Sequence, residues 1–175
     1  MSMDNGATGD VYGRHMHMQD QEKIERRRRR RAGYTNQWRL EIQNVRGFVE
    51  ENRRRWMETW RRTPRQEVPL AWMIQETHVS TFTEAEKLKA DWRRLWGRSH
   101  QSDSKPLSYW SIDDSKRGGV AILLHPSVVD QVSPWLQERW TRRVIAIKMR
   151  ERTLVNVYAP NSHEEREQFF GRLQA

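Results

Sequence analysis

With 175 residues, no cysteine and no apolar run near the ~18 residues of a membrane span, the chain excludes a multidomain machine, a disulfide or thiolate-zinc scaffold and a membrane-spanning helix. Nine tryptophans in a chain of mean hydropathy −1.03 call for a packed core, because disordered chains are poor in aromatics. The net charge of +9 is mostly arginine and favours a polyanionic partner, nucleic acid first, since the guanidinium fork matches phosphate geometry.

Residues 1–35 read as a disordered basic tail, leaving residues 36–175 for the folded domain. Residues 1–21 carry Gly, Asp, Asn, His and Met without apolar periodicity and cannot bury enough surface to offset the entropy of ordering. The alternation His15-Met16-His17-Met18 reads as incidental rather than as a metal site. The consecutive arginines Arg26, Arg27, Arg28, Arg29, Arg30 and Arg31 repel one another and stay solvated. The same exposed charge suits nuclear import or nucleic-acid binding, so both readings stand.

From Trp38 the pattern changes. Trp38, Leu40 and Ile42 alternate with Arg39, Glu41 and Gln43, which predicts a strand ending at Asn44. Gly47 allows a turn, and Val49, Trp56, Met57 and Trp60 give the next helix an apolar face. Leu70-Ala71-Trp72-Met73-Ile74 has the length of a buried strand. Thr83 and Glu86 form a capping-box pair for a second helix with Ala85, Leu88, Trp92, Leu95 and Trp96 on one face and Gly97 at its stop.

Residues 98–106 read as a loop. Residues 107–112 and 120–124 read as strands joined through Arg117-Gly118-Gly119. Residues 144–147 and 154–158 flank a short polar link and predict a hairpin. Ser162 and Glu165 cap a last helix whose apolar face is Phe169, Phe170 and Leu173. The coarse expectation is a mixed α/β fold whose C-terminal portion is missing.

Three predicted strands end in polar side chains: Asn44, Glu76, and Tyr158 with Asn161. In layered α/β folds, sites gather where strand ends and their loops converge. A carboxylate there can hold magnesium through oxygen, while Asn and Tyr orient a phosphate or stabilise developing charge. Singly, each has a plainer explanation: Glu76 as a loop opener, the asparagines as turn or cap residues, Tyr158 as core.

Together with their neighbours they resemble a known family. Gln43-Asn44-Val45-Arg46-Gly47, Ile74-Gln75-Glu76-Thr77-His78, Arg117-Gly118-Gly119-Val120-Ala121-Ile122-Leu123 and Asn156-Val157-Tyr158-Ala159-Pro160-Asn161 appear in the order seen in the endonuclease/exonuclease/phosphatase superfamily. The sequence is most similar to the apurinic-endonuclease-like domain of LINE-type (non-LTR) retrotransposons, over about residues 38–175. The resemblance implies a four-layer α/β sandwich of the DNase I-like kind, present here as its N-terminal part and truncated at the C-terminus. It implies a metal-dependent phosphodiester hydrolase, a retroelement DNA endonuclease that uses Mg2+. Glu76 would then be a metal ligand, with Asn44 in the same metal and phosphate network. Tyr158 would contact the scissile phosphate and Asn161 would support the site at its rim. The implied partners are DNA or RNA, with no membrane, and the rest of a retroelement polyprotein if the frame continues. The implied location is intracellular, in the nucleus.

The pattern departs from the family in two places. Neither a Gly-Asp-Phe-Asn nor a Ser-Asp-His motif occurs in the sequence, and His100 and His163 are in the wrong places to replace them. Loss of a general base and its orienting carboxylate costs ~10²–10⁴-fold in rate. The expectation is therefore an incomplete endonuclease domain, weakly active or inactive alone. The alternative is a non-catalytic basic nucleic-acid-binding remnant, acting through arginine–phosphate contacts and exposed tryptophans that stack on bases.

Overall fold

The computed structural model describes residues 38–48, 50–97, 105–112 and 118–174. The predicted tail with its arginine run, Val49, His100, the rest of the 98–104 stretch and Arg117 lie outside the described residues. All the elements below belong to one unit, Arg39–Ala175.

Among the described residues the fold is mixed α/β, with two sheets and three α-helices. The first sheet opens with β1 (Leu40–Asn44), which pairs in parallel with β2 (Ala71–Gln75). On the other side β2 pairs antiparallel with β4 (Val120–Leu124), and β3 (Ser108–Trp110) completes that edge. The second sheet is an antiparallel meander of β5 (Val132–Pro134), β6 (Val144–Met149) and β7 (Arg152–Val157). Helix α1 (Glu50–Arg62) connects β1 to β2, α2 (Phe82–Leu95) connects β2 to β3, and α3 (His163–Gln174) follows β7.

Strand β4 is buried at every position and β2 at all but its last, so both read as apolar runs rather than as alternating patterns. One face explains half of that. Trp72, Ile74, Ala121 and Leu123 pack with Met57 of α1 and with Leu88 and Trp92 of α2. Tryptophans dominate this core: the Trp72 ring lies 4.9 Å from Trp92 and 5.2 Å from Trp60, edge to face in both cases. Each such pair contributes about 0.5–1.5 kcal/mol beyond the area it buries. Trp92 donates its indole N–H to the Leu124 carbonyl at 3.0 Å, which satisfies its polar atom. Between the helices, buried Arg53 pairs with Asp91 at 3.4 Å.

The second sheet covers the other face. Asn156, 1% exposed, donates from Nδ2 to the carbonyls of Ile74 at 2.9 Å and Ala121 at 2.8 Å. Gln75 Nε2 donates to the Val157 carbonyl at 2.7 Å. These bonds fasten β7 across β2 and β4 just before the chain reaches Tyr158.

The structure moves one predicted helix cap. Thr81 caps α2 by accepting from the Glu84 N–H at 3.2 Å, and Glu84 accepts from the Ser80 N–H at 3.1 Å. The sequence contains two Thr-x-x-Glu frames two residues apart. The earlier one is used, which leaves Thr83 inside the first turn. The strand predicted at 107–112 shortens to Ser108–Trp110, and β5 arises in a stretch with no strand signal. Gly97 follows α2 at φ +68°, and Ser162 accepts from the Glu165 N–H at 3.3 Å, both as expected.

Candidate active site

Three loops meet beyond the ends of β1, β2 and β7. Backbone hydrogen bonds join the first two: Gly47 N–H to the Glu76 carbonyl at 2.7 Å and Phe48 N–H to the Thr77 carbonyl at 3.0 Å. The Gly118-Gly119 approach to β4 binds the same segment, through Thr77 N–H to Gly119 and His78 N–H to Gly118. Gly119 N–H in turn reaches the Arg142 carbonyl at 3.1 Å, and Tyr158 N–H reaches Arg143 at 2.8 Å.

The backbone here is unusual. Arg46, Glu76 and His78 adopt φ of +49°, +54° and +57°, and Gly47, Gly118 and Gly119 are also left-handed. Non-glycine residues rarely take this conformation, and such strain clusters at functional sites. Two of the glycines are required by close approach as well. A Cβ on Gly47 would stand 3.0 Å from His78 Nδ1, and one on Gly119 would collide with the Thr77 hydroxyl.

Glu76 lines a cleft of about 350 Å³ together with His78, Gly118, Arg143, Tyr158 and Asn161. Glu76 Oε1 accepts from the Tyr158 hydroxyl at 2.6 Å and from Asn44 Nδ2 at 2.7 Å. Asn44 is oriented in turn, its Oδ1 accepting from the Arg46 N–H at 3.0 Å. The bond from Tyr158, then the one from Asn44, hold the Glu76 carboxyl below its usual range against partial desolvation, with help from the His78 and Arg46 charges. The same bond to Glu76 pushes the Tyr158 phenol up. Arg143 grips Tyr158 from the other side, its guanidinium 5.2 Å from the ring centre and its NH1 donating to the Tyr158 carbonyl at 3.2 Å.

The structure therefore brings Asn44, Glu76 and Tyr158 into direct contact and puts Asn161 on the wall of the same cleft. Arg26 to Arg31 are outside the described residues. His163 stands on α3, 3.7 Å from Glu167, and is not among the residues lining the cleft. His78, Arg143 and Asn156 carry weight that sequence reasoning did not give them. His78 and Asn156 sat inside the quoted motifs, whereas Arg143 had no local signal.

Among the described residues no three His, Asp or Glu side chains converge as a metal cluster. The donors present fit a magnesium ion held by one carboxylate, because Mg2+ keeps several waters and often takes only one or two carboxylates plus substrate phosphate. The Glu76 carboxyl is held below its usual range, which favours the carboxylate, and both of its hydrogen bonds fall on Oε1. No protein-family model matches this chain, and no curated protein matches it at a significant level.

Proposed function

We propose that this chain carries the metal- and phosphate-binding part of a metal-dependent phosphodiester hydrolase, a retroelement-type DNA endonuclease. In this reading the two sheets and flanking helices are the N-terminal part of a DNase I-like four-layer sandwich. The observation that carries it is the shared Glu76 Oε1, ordered by Asn44 from one strand end and Tyr158 from another at a cleft of strained loops.

Glu76 would hold the magnesium ion, which supplies Lewis-acid polarisation of the phosphoryl oxygen and charge neutralisation. Asn44 fixes the carboxylate rotamer. Tyr158 donates its one O–H to Glu76, and it would contact the phosphate as a donor only by turning that hydrogen from the carboxylate to a phosphate oxygen. Arg143, at the cleft wall, adds a cation that matches the substrate's charge. Among the described residues His78 is the imidazole lining the cleft, and no His–Asp pair stands there to relay a proton. Turnover by this chain alone is therefore expected to be slow.

The test is nicking of supercoiled plasmid in magnesium. Nicking that is lost with a chelator and with Glu76→Gln supports the proposal. Nicking indifferent to Glu76→Gln overturns the role given to Glu76, and DNA binding without nicking leaves the non-catalytic basic binding reading, which rests on the net charge of +9. That alternative draws less on tryptophan than the sequence suggests. Trp56, Trp60, Trp72, Trp92, Trp96 and Trp110 belong to the core or pack against it.

A further inference from the structure

The Glu76 cleft is short of negative charge. Among the described residues that line it, Glu76 is the one carboxylate, and the Arg143 guanidinium and the His78 imidazole stand with it. Arg46 adds a second guanidinium from the loop between β1 and α1. Its N–H holds Asn44 Oδ1 at 3.0 Å, while Asn44 Nδ2 donates to Glu76 Oε1 at 2.7 Å. The next residue, Gly47, donates its N–H to the Glu76 carbonyl at 2.7 Å, so the loop is bound to Glu76 on both sides of Arg46. Arg46 itself is left-handed at φ +49°, a conformation that long side chains seldom take and that clusters at functional sites. The residue is exposed, and among the described residues it forms no ion pair, yet its charge helps to hold the Glu76 carboxyl down.

One carboxylate flanked by two guanidiniums leaves a net positive field, and each guanidinium repels a divalent cation twice as strongly as it attracts a monoanion at the same distance. Magnesium also gives up its waters reluctantly and is commonly held by one or two carboxylates together with substrate phosphate. We infer that Arg46 and Arg143 make the cleft a phosphodiester site first: they clamp the phosphate, and Glu76 takes up Mg2+ only after that phosphate has offset their charge. The inference rests on the endonuclease reading and deepens it, giving the site an order of binding and making Arg46 the residue that sets it. The planar guanidinium suits the phosphate half of this role, because it can donate two parallel hydrogen bonds to one anion.

The test uses the full chain and a probe with a single phosphate, the dinucleotide thymidylyl-(3′→5′)-thymidine, because longer DNA would also report on the arginine run at residues 26–31. Proton–nitrogen NMR follows the Asn44 side-chain amide, and carbon-detected NMR follows the Glu76 carboxyl. In chelator the dinucleotide is expected to shift the Asn44 amide, whereas thymidine, which lacks the phosphate, is not. Magnesium chloride alone is expected to leave the Glu76 carboxyl unmoved at concentrations that shift it once the dinucleotide is bound. Arg46→Gln is expected to weaken the dinucleotide about tenfold and to tighten Mg2+ binding to the free chain about tenfold. Arg46→Lys keeps the charge and is expected to exclude free Mg2+ as the wild type does. The backbone amide spectrum of each variant checks that the fold is kept. The inference is overturned if Mg2+ moves Glu76 at the same concentration with and without the dinucleotide, if the dinucleotide binds only when Mg2+ is present, or if Arg46→Gln matches the wild type in both titrations. Each of these results leaves the endonuclease reading in place. If the dinucleotide binds in chelator and Mg2+ never reaches Glu76, the endonuclease reading fails, and the order of binding fails with it.

Discussion

Tyr158 and Glu76, 82 residues apart in sequence, share a hydrogen bond of 2.6 Å from phenol to carboxylate. Glu76 follows the last residue of β2 and Tyr158 the last of β7, so the bond joins the ends of strands in different sheets. The bond requires the two sheets to be fastened to each other near these strand ends. Asn156 and Gln75, each next to or near one end of the bond, supply that fastening.

Tyr158→Phe removes the donor and little else, since the hydroxyl is part-buried and the ring remains. The Glu76 carboxyl is expected to titrate closer to an ordinary glutamate, because the largest influence holding it down is gone. If Glu76 holds a metal ion as proposed, loss of a residue that orients its carboxylate typically costs 10–100-fold, and any magnesium-dependent nicking is expected to fall by about that factor. Carbon-detected NMR of the Glu76 carboxyl reads the titration. An unmoved midpoint would falsify the electrostatic role given to Tyr158.

Asn156 acts earlier, through the fold. Asn156→Asp keeps the size but cannot donate to the Ile74 and Ala121 carbonyls, and it buries a carboxyl against them. Two lost buried hydrogen bonds and two acceptors left short cost about 2–4 kcal/mol. The melting temperature is expected to drop by about 5–15 °C and the Tyr158–Glu76 contact to loosen with it. Tyr158→Phe should melt close to wild type, and a matching drop in both variants would mean that Tyr158 is a structural residue.

The β2 and β4 strands, the α2 face and the β6–β7 hairpin were legible because each has a strong local pattern, either an apolar run or a helical stripe. Strand β5 was not: Val132, Ser133 and Pro134 carry no period, and the strand exists because β6 offers an edge to pair with. In the site, Glu76, Asn44 and Tyr158 were legible as polar residues at strand ends. Their convergence on one oxygen was not, since it depends on sheet-to-sheet registration. Arg143 was invisible among the many arginines, because its role comes from a ring 15 residues later.

The pairing of Arg53 with Asp91 stands on the helix side of the first sheet, away from the cleft. Asp91→Ala leaves a guanidinium buried without that carboxylate and is expected to cost about 3 kcal/mol. Replacing both, Arg53→Met with Asp91→Leu, is expected to be near neutral, because desolvation of the charges disappears with their attraction. Chemical denaturation of the two variants decides it. A double variant as unstable as Asp91→Ala would show that the Arg53 stem, rather than its charge, holds α1 on α2.

The Glu76–Tyr158 pair also sets two limits on pH. The Glu76 pKa is lowered on folding, so its stabilising share is present above the unfolded value of about 4.3 and is lost as pH falls through the lower folded value. The Tyr158 pKa is raised, so its share is fully present below about 10 and is lost as pH climbs through the higher folded value. Between these limits the hydrogen bond is expected to persist without a pH-dependent change. Glu76→Gln removes the carboxylate that raises the phenol, so Tyr158 should ionise closer to pH ~10. Tyrosinate absorbance at alkaline pH, taken as the difference between Glu76→Gln with and without Tyr158→Phe, isolates Tyr158 from buried Tyr109, whose phenol is raised by burial alone. If Tyr158 titrates at the same pH whether residue 76 is Glu or Gln, the two side chains do not share a proton-donating bond in solution, and the carboxylate must be ordered by Asn44 alone.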